Sequence, residues 1–233
     1  MFVPDSLPRT PAAAALPAAP SAAWTTDLFG RMRHLLWLKL AGTTAFTWVF
    51  FIGYFHLLRH PSRPALAMPL TALDHAIPFQ PSLLVVYVSL WLYIGVAPGL
   101  ARSFGRLVVH GLWAAALCLA GLGLFYAFPT TAPAPAIDVA AHPAFALLQG
   151  VDAAGNACPS LHVATAAFSA VWIDRLLRRI GTPASLRWAN AAWFVAIAYS
   201  TLAIKQHVVL DVAAGLLLGV AFAVVSLRFS PRP

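Results

Sequence analysis

The sequence predicts an all-α fold: a six-transmembrane helical bundle with N- and C-termini cytoplasmic and its site at the outer membrane face. Three observations predict it. The 233 residues are 61% hydrophobic and only 9% charged, where a soluble domain carries about 25% charged residues. Six apolar runs follow one another, each near the ~20 residues that cross a bilayer as a helix. The Lys and Arg residues fall unevenly on the two sides that those runs define, which sets orientation.

Residues 1–30 form an Ala/Pro-rich tail, low in complexity and expected to be disordered. The tail lacks the basic start and apolar stretch of a cleaved signal peptide. One membrane domain over 31–233 follows. Its runs lie at about 35–58, 82–100, 107–128, 160–177, 188–204 and 206–228. The fourth is the weakest, because His162 and Asp174 sit near its ends. Only Lys205, Gln206 and His207 separate the fifth from the sixth, so a tight turn is expected there, with His207 opening the last helix.

Of the 15 Lys and Arg residues, Arg9, Arg31, Arg33, Lys39, Arg102, Arg106, Arg175, Arg178, Arg179, Arg187, Arg228 and Arg232 fall on one side. Arg59, Arg63 and Lys205 fall on the other. The positive-inside rule makes the richer side cytoplasmic. The net charge of +8 is thereby explained by topology and anionic headgroups rather than nucleic acid. Trp37, Trp188 and Tyr87, near run ends, read as interface anchors. His34, His56, His60, His75, His110 and His142 have no patterned partner and read as packing or interfacial residues. Cys118 and Cys158 lie at different depths, which argues against a disulfide.

Two outer connections are rich in proline. Residues 60–82 hold Pro61, Pro64, Pro69, Pro78 and Pro81, as expected of an interfacial helix or a re-entrant turn. Residues 129–159 hold five prolines and no Lys or Arg, and are expected to roof the site.

Two stretches put ionisable groups beside apolar runs, where charge is expensive and therefore informative. Cys158-Pro159-Ser160-Leu161-His162 opens the fourth run. Lys205-Gln206-His207-Val208-Val209-Leu210-Asp211 opens the sixth. His207 and Asp211 are four apart, which on a helix puts both on one face. A carboxylate holding one imidazole nitrogen leaves the other free to act. By the topology, His162 and His207 share the outer surface. The sequence has no cluster of carboxylates for a metal and no cofactor motif.

At these residues the chain resembles the type 2 phosphatidate phosphatase superfamily. The family's second motif, Pro-Ser-Gly-His, stands here as Pro159-Ser160-Leu161-His162. Its third motif is Ser-Arg, five residues, His, three residues, Asp. Here Ser200 and Thr201 precede His207 and Asp211 at that spacing. Leu in place of Gly resembles the branch of inositol phosphorylceramide synthase-like phosphotransferases, as do Leu73-Asp74-His75-Ala76-Ile77-Pro78-Phe79 and Phe128-Pro129-Thr130. The first motif, Lys, six residues, Arg-Pro, is not matched: His56 precedes Arg63-Pro64, and at the wrong location. The Arg of the third motif is Thr201, so most of the family's phosphate-holding cations are absent. Lys205 is the local replacement.

The resemblance implies metal-independent cleavage or transfer of a lipid phosphoester through a phosphohistidine. His207 would attack phosphorus, Asp211 would hold its other nitrogen, and His162 would serve as acid and then base. Lys205, Ser160 and the amides opening the fourth span would meet phosphate oxygens. Ser160 is equally read as a helix cap, Lys205 as a snorkelling lysine, and Asp74 as the cap of a short helix. The expected partners are a lipid phosphate substrate, the membrane itself and an alcohol or lipid acceptor, with no nucleic acid. A bacterial inner membrane, the site facing the periplasm, fits the composition. The competing readings are a catalytically inactive scaffold, a transport-related protein and a bis-histidine haem protein.

Overall fold

The computed structural model describes residues 21–134, 142–151 and 155–229. Helix α1 (Ser21–Arg33) and helix α2 (Leu36–Arg59) lead into a short strand β1 (Leu66–Ala67) and helix α3 (Ala72–Ala76). A 3-10 turn at Pro81–Leu83, helix α4 (Leu84–Val88) and helix α5 (Leu90–Gly99) follow, then helix α6 (Phe104–Ala127) and strand β2 (Thr130–Thr131). Helices α7 (Pro143–Val151), α8 (Leu161–Ile180), α9 (Ala184–Ala203) and α10 (Val209–Phe229) complete the chain.

Four stretches are long and apolar enough to cross a membrane: Leu36–Arg59, Pro81–Gly99, Phe104–Ala127 and Val209–Phe229. Helices α8 and α9, at the expected fourth and fifth runs, have 20 residues each. Helix α8 carries Asp174, Arg175, Arg178 and Arg179 in its last two turns, which dilutes its apolar composition. It is nonetheless the centre of the bundle. Its buried side chains, among them Phe168, Trp172 and Ile173, form one core with Leu90, Tyr93, Leu117, Phe125 and Ile197. Helix α2 fully buries only Lys39 and Tyr54, while Phe50, Phe51, Phe55, Leu57 and Leu58 pack half-buried against that core.

Residues 1–20 of the expected tail lie outside the described residues. Residues 21–30 form most of α1, which the composition had assigned to the tail. Asp27 and Arg31 pair across one turn at 3.0 Å, and Leu28 packs against the core.

The closest helix contact is between α8 and α10. A Cβ on Gly215 would lie 2.3 Å from the Ser160 carbonyl oxygen, and one on Gly219 would lie 2.2 Å from that of Ala164. Glycines one turn apart thus let two backbones touch, as small residues four apart do between membrane helices. The same device recurs between α6 and α8, where a Cβ on Gly121 would meet Leu161 Cδ2 at 2.3 Å. The Leu that stands where the second motif has Gly fits because α6 has none of its own side chain there.

The expected all-α architecture has one addition. Strands β1 and β2 pair in parallel, Leu66 with Thr130 and Ala67 with Thr131, and Thr131 bridges to Gly155. Proline-rich connections cannot close helical hydrogen bonds, so their backbone groups pair with one another instead. The ladder ties the two proline-rich connections together over the ends of α2 and α6.

Candidate active site

The site is built where α8 and α10 begin and α9 ends. Ser160 caps α8, its Oγ accepting from the Val163 amide at 3.3 Å. Its own N–H donates to the Asp211 carbonyl at 3.0 Å, so the capped end of α8 is fixed on the first turn of α10. His162 follows in the first turn of α8.

Helix α9 ends in a Schellman motif. Lys205 lies in the left-handed region at φ 59°. Its N–H donates to Leu202 O at 3.1 Å, and the Gln206 N–H to Thr201 O at 3.1 Å. Both bonds satisfy carbonyls that a helix end otherwise leaves open. The His207 N–H also donates to Thr201 O, at 3.2 Å. Thr201, at the third motif's Arg position, is fully buried, and its hydroxyl donates to Ala198 O at 2.8 Å. No cation reaches the site from there.

The expectation that His207 and Asp211 share a helix face needs correction. His207 lies in the turn, and α10 begins only at Val209. Asp211 Oδ2 instead reaches back to accept from the Val208 amide at 3.0 Å, as an acidic residue does in the first turn of a capped helix. That fold-back brings Oδ2 to 3.5 Å from His207 Nδ1. The separation is close enough for charge pairing but longer than a good hydrogen bond. Accordingly His207 Nδ1 and Asp211 Oδ1 are buried side-chain atoms without a hydrogen-bond partner among the described residues. Asp211 is fully buried and His207 is 8% exposed.

The two histidine rings meet, 5.9 Å centroid to centroid. His162 is further held by two aromatics of the second run. Tyr87 stacks on it at 4.4 Å, with its hydroxyl 3.5 Å from Nδ1, and Trp91 meets it edge-on at 5.8 Å. Tyr87 is therefore not the interface anchor expected. It is 2% exposed because α4 lays it across the start of α8. Trp37 and Trp188 are 80% and 75% exposed.

Asp74 is the organising residue that the sequence assigned only to a local cap. It does cap α3: Oδ2 accepts from the Thr71 amide and hydroxyl, both at 2.7 Å. Its Oδ1 also accepts from the Val209 amide at 2.8 Å, the first N–H of α10. Lys205 Nζ closes the arrangement, donating to Asp74 O at 3.0 Å and Ile77 O at 2.5 Å. Burial alone pushes the Asp74 carboxyl up. Hydrogen bonds from Thr71 and Val209, with the charge of Lys205, outweigh that and hold it below the usual carboxylate range. The 71–80 connection is thereby clipped onto the α9–α10 turn.

A cavity of about 450 Å³ opens beside these residues, lined by Asp74, His75, Lys205, His207, Phe79 and Pro133 among others. Cys158 lies just before the capped start of α8. Burial, then the Asp211 charge, pushes its thiol up to about 11, so it remains protonated. Both cysteines are free. Among the described residues, no three His, Cys, Asp or Glu side chains converge as metal ligands.

The sequence model of the PAP2 superfamily matches residues 107–233, a stretch that includes His162, Lys205, His207 and Asp211. No curated protein and no solved structure matches the chain.

Proposed function

Since the chain belongs to the PAP2 superfamily, whose members are phosphatases and phosphotransferases, we propose that it cleaves or transfers a lipid phosphoester through a phosphohistidine at the outer membrane face. The observation that carries this reading is the meeting of His162, in the first turn of α8, with His207, in the turn before α10, with a buried carboxylate beside the latter.

In this reading Asp211 holds Nδ1 of His207, leaving Nε2 to attack phosphorus. The bond from phosphorus to the lipid oxygen breaks as the bond to Nε2 forms. His162 protonates the departing alkoxide, a role worth about 10²–10⁴-fold. It then takes the proton of water or an acceptor alcohol, whose oxygen displaces Nε2. Splitting one displacement into two is the gain of the covalent route. Ser160 occupies the third first-turn amide of α8 and leaves those of Leu161 and His162 for phosphate oxygens, at the positive end of a helix. Lys205, whose ammonium has one N–H beyond its two carbonyl bonds, lines the 450 Å³ cavity together with His207. The lipid phosphate occupies that cavity with its chain in the membrane.

The arrangement favours six crossings, with α8 and α9 as the fourth and fifth and both termini cytoplasmic. The ends of α2, α6 and α9 gather with the starts of α8 and α10 around the histidines. The basic residues concentrate at the opposite end. A bacterial inner membrane with the site facing the periplasm fits this orientation. The motif Ser160-Leu161-His162 supports the phosphotransferase branch, in which an alcohol rather than water resolves the phosphoenzyme.

A panel of lipid phosphates, assayed in detergent without added metal, tests the reading. Phosphate release, or transfer when an alcohol acceptor is supplied, is expected for the wild type and lost in His207→Ala. Activity that persists in His207→Ala sinks the phosphohistidine. The buried Thr201 and the engaged Lys205 favour one second reading, an inactive scaffold. It predicts no turnover of any lipid with or without acceptor.

A further inference from the structure

The end of the bundle opposite the histidines holds a second group of charges. Arg106 and Arg179, from α6 and α8, share the wall of one cavity there, which sets like charges side by side. Such repulsion is ordinarily relieved by carboxylates. The four described carboxylates are all committed elsewhere. Asp27 pairs with Arg31, Asp174 with Arg178 and Arg187, and Asp74 and Asp211 lie at the histidine end. Among the described residues, no ion pair reaches Arg106, Arg175 or Arg179.

Nor are Arg106 and Arg179 ordinary surface anchors. Arg33, Arg102, Arg175 and Arg228 are exposed, whereas Arg106 and Arg179 are only half-exposed. Arg106 and Arg179 turn toward one small cavity between α5, α6 and α8, whose other walls include Ala97, Ala101 and Trp172. His110 lines that cavity as well as a larger one of about 290 Å³ between α2, α5, α6 and α8. The larger cavity is mostly apolar, lined by Leu38, Phe104 and Val108 among others, with Lys39 the one charged side chain in its lining.

We propose that Arg106 and Arg179 bind the phosphate of an anionic phospholipid, whose acyl chain lies in the apolar cavity next to them. Guanidinium forks match phosphate oxygens, and basic pockets between membrane helices take anionic headgroups. The ligand supplies the negative charge that the described carboxylates do not. The site is separate from the one proposed for catalysis and does not depend on it.

The full chain, delipidated in a neutral detergent, is melted with dioctanoyl phosphatidylglycerol, dioctanoyl phosphatidylcholine or inorganic phosphate. Phosphatidylglycerol is expected to raise the wild-type melting temperature by about 5–10 °C once well above its Kd, and phosphatidylcholine much less. The rise should persist in Arg102→Gln and His207→Ala and disappear in R106Q/R179Q. If the double variant does not fold, R106Q and R179Q singly should each lose most of it. Equal shifts with both lipids, no shift with phosphatidylglycerol, or a shift that survives the arginine variants overturns the proposal. A shift with inorganic phosphate and none with either lipid assigns the pair to a free anion and overturns the lipid assignment.

Discussion

Adding one methyl group at Gly215 tests how the site is held together. Its Cβ would lie 2.3 Å from the Ser160 carbonyl oxygen. That neighbour is backbone, so no rotamer change relieves the clash. For ordinary contact, α10 and α8 must separate by about 1 Å, and misplacement of that order costs roughly 10²-fold in rate. Ser160 and Asp211 sit on the two sides of the same contact, joined by the 3.0 Å bond from Ser160 N–H. His162 and His207 flank them. Gly215→Ala is therefore expected to lower kcat by about 10²-fold, with an overpacking cost of about 1–3 kcal/mol in stability. Gly123→Ala is the control. Nothing lies within 4 Å of its Cβ position, so the usual helical gain of up to ~1 kcal/mol is expected with activity intact. The assay is initial-rate turnover of the best substrate from the lipid panel, alongside a melting curve for each variant. A folded Gly215→Ala protein with wild-type kcat would refute the claim that backbone contact sets the histidine separation.

Three further outcomes follow from the same geometry. His162→Ala should slow turnover by about 10²–10⁴-fold and slow the formation of the acid-labile phosphoenzyme on His207 with it, read by rapid-quench labelling; labelling at the wild-type rate would remove His162 as the acid of the first step. Asp74→Asn should lower stability by about 1–3 kcal/mol near neutral pH, because charge-assisted bonds to Val209 and Thr71 weaken. The Asp74 carboxyl is held below its ordinary value, so its contribution is present above the unfolded pKa of about 3.9 and is lost as pH falls through the lower folded value. Melting curves of wild type and variant should therefore converge in acid, and a constant difference would remove Asp74 as the cause. Lys205→Gly relieves a left-handed backbone strain of about 1 kcal/mol but removes the ammonium; turnover should fall about 10²-fold, whereas unchanged turnover with a higher melting temperature would leave Lys205 a helix terminator only.

The long helices from α2 onward were legible because each is announced by an apolar run. The expected boundaries at 35–58, 107–128 and 206–228 fall within a few residues of α2, α6 and α10. The second run hid a break. Ser89, whose hydroxyl donates to Val86 O at 2.6 Å, separates α4 from α5 inside an unbroken apolar stretch, and hydropathy does not register such a bend. Helix α1 was missed for the opposite reason: Ala- and Pro-rich composition reads as tail, while the deciding contacts, Leu28 on the core and Arg31 under Lys39, are tertiary. Lys39 Nζ donates to Arg31 O at 2.7 Å and Gly99 O at 2.8 Å, a union of three helix ends that no local pattern signals.

The residues singled out at the site were legible as a set but not in their mechanics. Spacing alone brought His207 and Asp211 together, yet the reason was wrong: the pair is made by a turn and a carboxylate that folds back, not by a helical stripe. The difference has a physical consequence. A pair on one face of a formed helix would be positioned by that helix alone. A pair in the turn depends on whatever fixes the turn, which here is Asp74 accepting the first amide of α10, Lys205 holding the Asp74 and Ile77 carbonyls, and Gln80 N–H donating to Ala203 O at 2.9 Å. All three partners come from a connection more than a hundred residues earlier in the chain. That connection lies outside the matched stretch 107–233, so the motifs that signal the chemistry carry no trace of what orients it. The signal that was present is Thr71 three residues before Asp74, a capping-box spacing in a segment too short and too proline-rich to be stable on its own. A cap of that quality on a helix of five residues contributes little locally, which argues that the carboxylate is there for α10.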